Sequence, residues 1–382
     1  LDSLSFTLTN GTKFRLNSHY RILTPNYCPI FLCNRRKFIT MPEGISEGIH
    51  ATTTEYRDLV RIDLGDYLAS GGSSLGTLPE QIRTACENVG FFFVINHGIS
   101  EDLIGRIFAE SKRFHDLPFE DKTALSVNQN QRGYIVPGAT KVKHSTYNKN
   151  TKFDTNATMV FASEYGEDNP HRRAGKRFYS ENQWPDNLPG FKKTVTEYIE
   201  TLTGLGKMML PLWAAALELP SEYFGPYFEN NYTYFRMSHY PPVPELGDNE
   251  FGLGPHADTG FMTFLPQAAV DGLEILDVDD KWFRPPKMND AILVNTGQFL
   301  ERWSNNRFRA TPHRVIPPRD VDRYSIALFV NTAFEPTCEC LPTCTNPDNP
   351  PQYPTESYHE FYTWYMNNTY PHYEEFHDPK NS

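Results

Sequence analysis

Cysteine is scarce in this chain. Six in 382 residues are too few for a disulfide scaffold. Cys338, Cys340 and Cys344 form a C-x-C-x3-C cluster inside a Pro/Thr/Asn-rich stretch. A structural zinc would need a fourth ligand at a matching spacing, and none stands nearby; the cluster reads as free thiols in a loop. Long apolar runs are missing as well, so no segment has the length of a membrane span. Basic charge is in deficit: 36 Lys and Arg stand against 47 Asp and Glu, a net charge of −11. A nucleic-acid binder usually carries a basic face, so that class is disfavoured. No internal repeat is evident. The expectation is a cytoplasmic monomer acting on a small molecule.

Hydrophobic residues make up 39% of the chain, enough for one large core or two small ones. Aromatic residues reach 14%, which suits an apolar pocket and equally a tightly packed sheet. Residues 1–41 carry Lys13, Arg15, Arg21, Arg35, Arg36 and Lys37 against Asp2 alone. An Arg-rich, acid-poor start can be a transit peptide, but the amphipathic pattern of one is poor. Residues 1–58 therefore read as a partly disordered extension, with Met41 as an alternative start.

Order is expected from about residue 59. A β-rich run at 59–64 precedes a Gly/Ser loop and a helix over 79–89, where Ile82, Ala85, Cys86 and Val89 recur at helical spacing. Phe91-Phe92-Phe93-Val94-Ile95 is a buried strand, and residues 101–115 form a second amphipathic helix. A turn or short helix at 118–122 leads into an irregular, polar stretch over 126–176. Residues 188–219 hold the longest helical pattern, which Pro211 should interrupt or kink. After Tyr232 short β-prone runs alternate with turns, at 232–239, 260–265, 273–278, 291–295, 313–316 and 324–331. That texture predicts a barrel or double-sheet jelly roll. The expected fold is α+β: a double-stranded β-helix core over about 232–335, flanked by N-terminal helices in one domain over 59–335. A C-terminal loop and helix over 336–382 should pack on it.

Chemistry concentrates in His256-Ala257-Asp258, His313-Arg314-Val315 and Arg323-Tyr324-Ser325. Residues two apart in a strand share a face, so an extended segment would aim His256 and Asp258 at one point. A barrel could return His313 there. Two imidazoles and a carboxylate can hold a divalent iron and leave coordination positions open. Taken alone, H-x-D is equally a local hydrogen bond. Arg323 and Ser325 also share a face, and a buried guanidinium needs an anion. A dicarboxylate co-substrate would serve, as would a protein Asp or Glu.

Beyond these, Gly90-Phe91-Phe92-Phe93-Val94-Ile95-Asn96-His97-Gly98, Arg132-Gly133-Tyr134, Gln183-Trp184-Pro185, Tyr240-Pro241-Pro242, Asn295-Thr296-Gly297 and Arg302-Trp303-Ser304-Asn305 follow in order. With them, residues 59–335 resemble the isopenicillin N synthase-like family of non-haem Fe(II), 2-oxoglutarate-dependent dioxygenases. The resemblance implies His256, Asp258 and His313 as iron ligands, and Arg323, Ser325 and Tyr240 as the binders of 2-oxoglutarate. It implies O2 as oxidant, with succinate and carbon dioxide as by-products and hydroxylation, desaturation or ring closure of a small molecule, as in specialised metabolism. Gln298, Ser238 and Glu274 depart from the family's frequent Asp, Asn and Gln. Two other functions stay open: an oxidase using the same triad without 2-oxoglutarate, and a non-catalytic binding protein on the same fold. Candidate substrate contacts are Phe153, Met159, Phe161, Tyr234 and Phe334, each of which could equally be core. Lys141, Lys143, His144 and Lys152 could meet an acidic substrate or be solvated. The aromatic segment 357–366 could cover the pocket mouth or dock on the outer wall.

Overall fold

The computed structural model describes residues 55–141 and 151–369. Residues 1–54 of the expected transit or disordered extension, Lys143, His144 and the last residues of the chain lie outside them. Structure begins slightly ahead of residue 59: the Glu55 carbonyl accepts from Arg284 N, and Tyr56 bridges to the same residue.

The N-terminal half contributes β1 (Arg61–Asp63), α1 (Gly65–Ala69), α2 (Leu78–Asn88), β2 (Phe91–Ile95), α3 (Glu101–His115), α4 (Phe119–Thr123), β3 (Gly133–Ile135), β4 (Ala157–Ala162), α5 (Pro170–Arg173) and α6 (Phe191–Ala216). The sequence gives physical reasons for the long helices. Ser100 caps α3 by accepting from Leu103 N at 3.2 Å, with Glu101 and Asp102 in the first turn and Lys112, Arg113 and His115 in the last. In α6, Pro211 sits inside a continuous 26-residue helix. The helix survives it because both sides are packed, and the Tyr67 hydroxyl donates to Met208 O (2.6 Å) in the disturbed turn.

The C-terminal half supplies β5 (Thr233–Tyr240), β6 (Leu253–His256), β7 (Met262–Pro266), β8 (Leu273–Leu276), β9 (Trp282–Phe283), β10 (Ala291–Thr296), α7 (Gln298–Trp303), β11 (His313–Val315), β12 (Arg323–Val330), β13 (Thr337–Cys338), β14 (Glu356–Ser357) and α8 (Tyr358–Thr369). The major sheet has eight strands in the order β1-β2-β10-β7-β12-β5-β4-β3, and the minor sheet four, β6-β11-β8-β9. All neighbours are antiparallel except β1 and β2. The jelly roll is therefore wider than the expected 232–335: β1 to β4 of the N-terminal half complete its larger sheet. β6 and α7 have no counterpart in the sequence reading.

Strand alternation divides the major sheet's residues between two environments. Phe92 and Val94, Phe235 and Met237, Phe264, Val294, Ile326, Leu328 and Val330 face the helices and join one core with Ile82, Ile107, Val195, Leu202 and Trp213. The intervening residues face the minor sheet, where Phe91, Phe93, Ile275, Phe283 and Leu293 form a second cluster. Between the sheets, toward β5 and β12, packing gives way to a cavity of about 900 Å3, open solvent at its mouth included.

Candidate metal centre and co-substrate site

His256 ends β6 and His313 begins β11, and the two are direct cross-strand partners. Their rings lie 4.3 Å apart between centroids. This pairing brings together residues far apart in sequence. Asp258 arrives differently from the strand alternation expected: it lies in the loop after β6, not in the strand. The loop is fixed by Gln298, whose N–H donates to Asp258 O (2.7 Å) and whose side chain donates to Ala257 O (2.9 Å). The Gln that departs from the family pattern thus buttresses the ligand loop.

Three candidate ligand atoms lie within 4.8 Å of one another; Asp258 and His313 are buried, and the His256 side chain is 10% exposed. The His256 Nδ1 faces Gly254 O at 2.9 Å, and the His313 Nδ1 faces Thr311 O at 3.2 Å. A carbonyl only accepts, so each Nδ1 carries the proton and each Nε2 presents a lone pair. Both Nε2 atoms face Asp258 Oδ1, at 3.8 and 3.6 Å. Three acceptors with no proton between them repel unless a cation sits among them, and the gaps suit bonds of about 2.0–2.2 Å. The other carboxylate oxygen accepts from Thr263 Oγ1 (2.6 Å) and Asn295 Nδ2 (2.7 Å). Burial would raise the Asp258 carboxyl, but positive charge at the histidine pair, a proton or a cation in its place, and these two donors hold it below its ordinary value. Burial, reinforced by His313, pushes His256 down to about 3, which keeps it neutral. The donor set, two neutral nitrogens and one oxygen anion, fits iron(II).

Arg323 and Ser325 start β12 and point into the same cavity. Tyr240 is the cross-strand partner of Arg323, and Ser238 that of Ser325. The guanidinium lies 4.8 Å over the Tyr240 ring and donates through Nε to Val270 O (3.1 Å). Nη1 is buried and has no hydrogen-bond partner among the described residues. No protein carboxylate forms a salt bridge with Arg323 among those residues, so the open alternative of an internal acid is not what the structure presents. Gly272 makes the approach possible: a Cβ there would lie 2.7 Å from Ile316 O and 3.1 Å from Arg323 Nε. The other departures have local roles. Ser238 shares a hydrogen bond with Thr158 (3.0 Å), and buried Glu274 pairs with Arg284 (3.1 Å) and Arg314 (2.8 Å).

The family follows from comparison with known proteins. A model described as the 2OG-Fe(II) oxygenase superfamily matches residues 226–332, and one described as the N-terminal part of a non-haem dioxygenase in morphine synthesis matches residues 61–187. The chain belongs to the non-haem Fe(II), 2-oxoglutarate-dependent dioxygenases. It is 36% identical to a Citrus sinensis protein named Kihadalactone A synthase LFS, across 72% of this dioxygenase and 83% of that protein. A 2-oxoglutarate-Fe(II) type oxidoreductase of Emericella nidulans is 32% identical, across 77% and 85%. Among solved structures, a 2OG-Fe(II) oxygenase family protein from Caulobacter crescentus superposes with a TM-score of 0.70 at 26% identity, covering 81% of this chain and 98% of that one. The enzyme named JOX2, crystallised with 2OG, Fe and JA, gives 0.68 at 26%, covering 83% and 87%.

Of the five substrate candidates, Tyr234 lines the cavity of the dioxygenase. The other four are placed elsewhere. Met159 and Phe161 alternate onto the helix face of β4; Phe161 stacks on Trp184 with centroids 4.6 Å apart. Phe334 stacks behind Tyr358 (5.7 Å), and Phe153 is exposed beneath Lys141. Neither Lys141 nor Lys152 lines the cavity; Lys152 stands 3.6 Å from Glu250. Thr263, Asn295 and Asn331 line the cavity without having been assigned a role from sequence, and Tyr358, Tyr362, Tyr365 and Met366 of the 357–366 segment line it too. The α8 helix does close the cavity, but as part of the main core, not as a detachable flap. Cys338, Cys340 and Cys344 are free thiols, as the sequence suggested.

Proposed function

We propose that His256, Asp258 and His313 hold Fe(II), that Arg323, Ser325 and Tyr240 hold 2-oxoglutarate, and that the enzyme oxidises a C–H bond of a small specialised metabolite. The observation that carries this is the pairing, in one cavity, of three convergent lone-pair donors with a buried guanidinium that lacks an anion. The bound iron supplies activation of O2 coupled to decarboxylation of the co-substrate. The chain's own residues do the rest. Arg323 offers a bidentate fork to the far carboxylate of 2-oxoglutarate, and the Ser325 and Tyr240 hydroxyls stand beside it to donate. Thr263 and Asn295 keep Asp258 anionic and oriented. Leu253, Val315, Leu265 and Leu273 line the passage between Arg323 and the histidines and exclude water. Tyr234, Phe329 and the α8 side chains face the substrate. A cytoplasmic location and a monomeric state belong to the same proposal.

Supporting this reading over a 2-oxoglutarate-independent oxidase or a binding protein requires stoichiometry. A metabolite screen under air should find compounds that stimulate release of one succinate per O2 consumed. Oxygen uptake without succinate would favour the oxidase, and a reconstituted protein that retains no iron would favour the binding protein.

A further inference from the structure

We infer that Asn331 reads the primary substrate: its side-chain amide donates a hydrogen bond to a carbonyl-type oxygen on an unsaturated ring compound. This deepens the reading of the cavity as an active site and rests on it. Asn331 follows β12 and is 1% exposed, yet it lines the cavity. Its Oδ1 accepts from Phe261 N at 3.1 Å. A backbone N–H only donates, so that edge of the amide is the oxygen and the other is the NH2. The NH2 is buried and has no hydrogen-bond partner among the described residues. The group cannot easily turn away. Oδ1 is pressed into the space left by Gly260, where a Cβ would lie 1.7 Å from it.

Arg323 Nη1 is in the same unmet state at the opposite end of the cavity. Arg323, Ser325, Ala327, Phe329 and Asn331 all line it, as the alternate residues of one strand and its extension. At about 3.3 Å per residue, Arg323 and Asn331 are separated by roughly 25 Å of backbone. One five-carbon dicarboxylate cannot satisfy both donors, so Asn331 serves a second ligand. Its neighbours define the body of that ligand. Tyr234, Phe329, Tyr358, Tyr362 and Met366 bring aromatic rings and a thioether to the cavity wall, which suit an unsaturated ring system. Its place sets the geometry: Gly260 and Phe261, which cradle the amide, follow directly on the Asp258 loop. An oxygen held at Asn331 therefore fixes which neighbouring carbon faces the proposed iron. A site with a buried donor rejects an analogue that lacks the acceptor more strongly than an apolar pocket rejects a change of size.

The test uses ring pairs that differ in the carbonyl: coumarin against 2H-chromene, and chromone against 4H-chromene. Equilibrium binding to the full chain, read by calorimetry or tyrosine fluorescence, needs neither iron nor turnover. A chain without oxygenase activity would still report, so failure of the functional reading and failure of this inference are separable. The wild type should bind the carbonyl member at least about tenfold tighter. Asn331→Asp, measured in alkaline buffer where even a buried carboxyl is ionised, keeps an oxygen for Phe261 N–H but loses the donor; its preference should fall to about twofold or less. Asn331→Ala should lose the preference likewise and checks the result if the aspartate variant folds poorly. Equal binding of both members by the wild type, no binding of any pair, or a preference that survives in Asn331→Asp would each overturn the inference.

Discussion

Asn295→Ala tests how far the carboxylate ligand depends on its supports. Asn295 is buried and donates to Asp258 Oδ2 at 2.7 Å, beside the 2.6 Å bond from Thr263. A hydrogen bond to a buried charge contributes about 1.5–3 kcal/mol. Losing it leaves the carboxylate free to rotate about its remaining contact, and partners of this kind typically change metal affinity about 10- to 100-fold. Anaerobic titration of the metal-free protein with Fe(II), in competition with a chromophoric chelator, should show weakening of that order. Thr263→Val, which removes the other donor at nearly constant volume, should give an effect of similar size, and the double variant should exceed either. Iron affinity within about twofold of wild type in Asn295→Ala, with the fold intact, would refute the reasoning, because a charge-assisted bond cannot vanish from a buried site at no cost.

Arg323→Gln should raise the Michaelis constant for 2-oxoglutarate about thirtyfold or more, for a lost charged contact of about 2–5 kcal/mol, while the substrate's constant barely moves; steady-state kinetics in both reactants decides it. Asp258→Ala should abolish turnover, and full activity in that variant would remove the residue from the metal site. Asp154, buried and bonded to Gly254 N (2.8 Å), is pushed up to about 7 by burial against its ordinary 3.8. The folded state then holds the proton more tightly than the unfolded one, so this contribution is present below about pH 4 and lost as pH rises through about 7; Asp154→Asn should flatten that fall in thermal unfolding, and parallel pH profiles would count against it. Truncation before Ser357 removes the buried Tyr358, Phe361, Tyr362, Tyr365 and Met366; at about 1.5–3 kcal/mol each this approaches a whole domain's stability, so the shortened chain should not unfold cooperatively, and a cooperative transition would show α8 to be dispensable.

Much of this was legible where chemistry and periodicity coincide. The α3 helix runs from Glu101 to His115, as its apolar spacing suggests, and β2 coincides with the Phe91–Ile95 run. Less legible was anything that depends on which strand lies beside which. The major sheet's use of β1 to β4 is a long-range pairing that leaves no mark on local pattern. Met159 and Phe161 illustrate the same limit: they fall in a stretch read as irregular, and which face of β4 they take depends on the register Met159↔Met237. The roles of Thr263 and Asn295 were hidden for the same reason. They meet Asp258 only because β7 pairs with β10 at Asn295↔Thr263. Asn331, by contrast, could have been found: it continues the odd-numbered series from Arg323 and Ser325, and its parity alone aims it inward.

The cavity's two ends are built by different means. At the Arg323 end every contributor is strand or strand-flanking backbone: Tyr240 across from Arg323, Val270 O on its Nε, and Gly272 giving it room. The paired histidines are likewise locked by register between β6 and β11. A substitution there shifts a ladder that many other contacts share, so this end resists change. The opposite end is closed by α8, which belongs to neither of the two large sheets and contributes four cavity-lining side chains. Helical spacing sets Tyr358, Tyr362 and Tyr365–Met366 on one stripe; Tyr358 is tied through Thr259 to the Asp258 loop, while Tyr362, Tyr365 and Met366 belong to none of the strand ladders that place the histidines and Arg323. Asn331 stands at the junction, held by the Asp258 loop on one side and open to the α8 side chains on the other. On the proposed reading, substrate choice lies with Asn331 and α8 and the common chemistry with the strands, a division by which one scaffold can keep its reaction while its substrate varies.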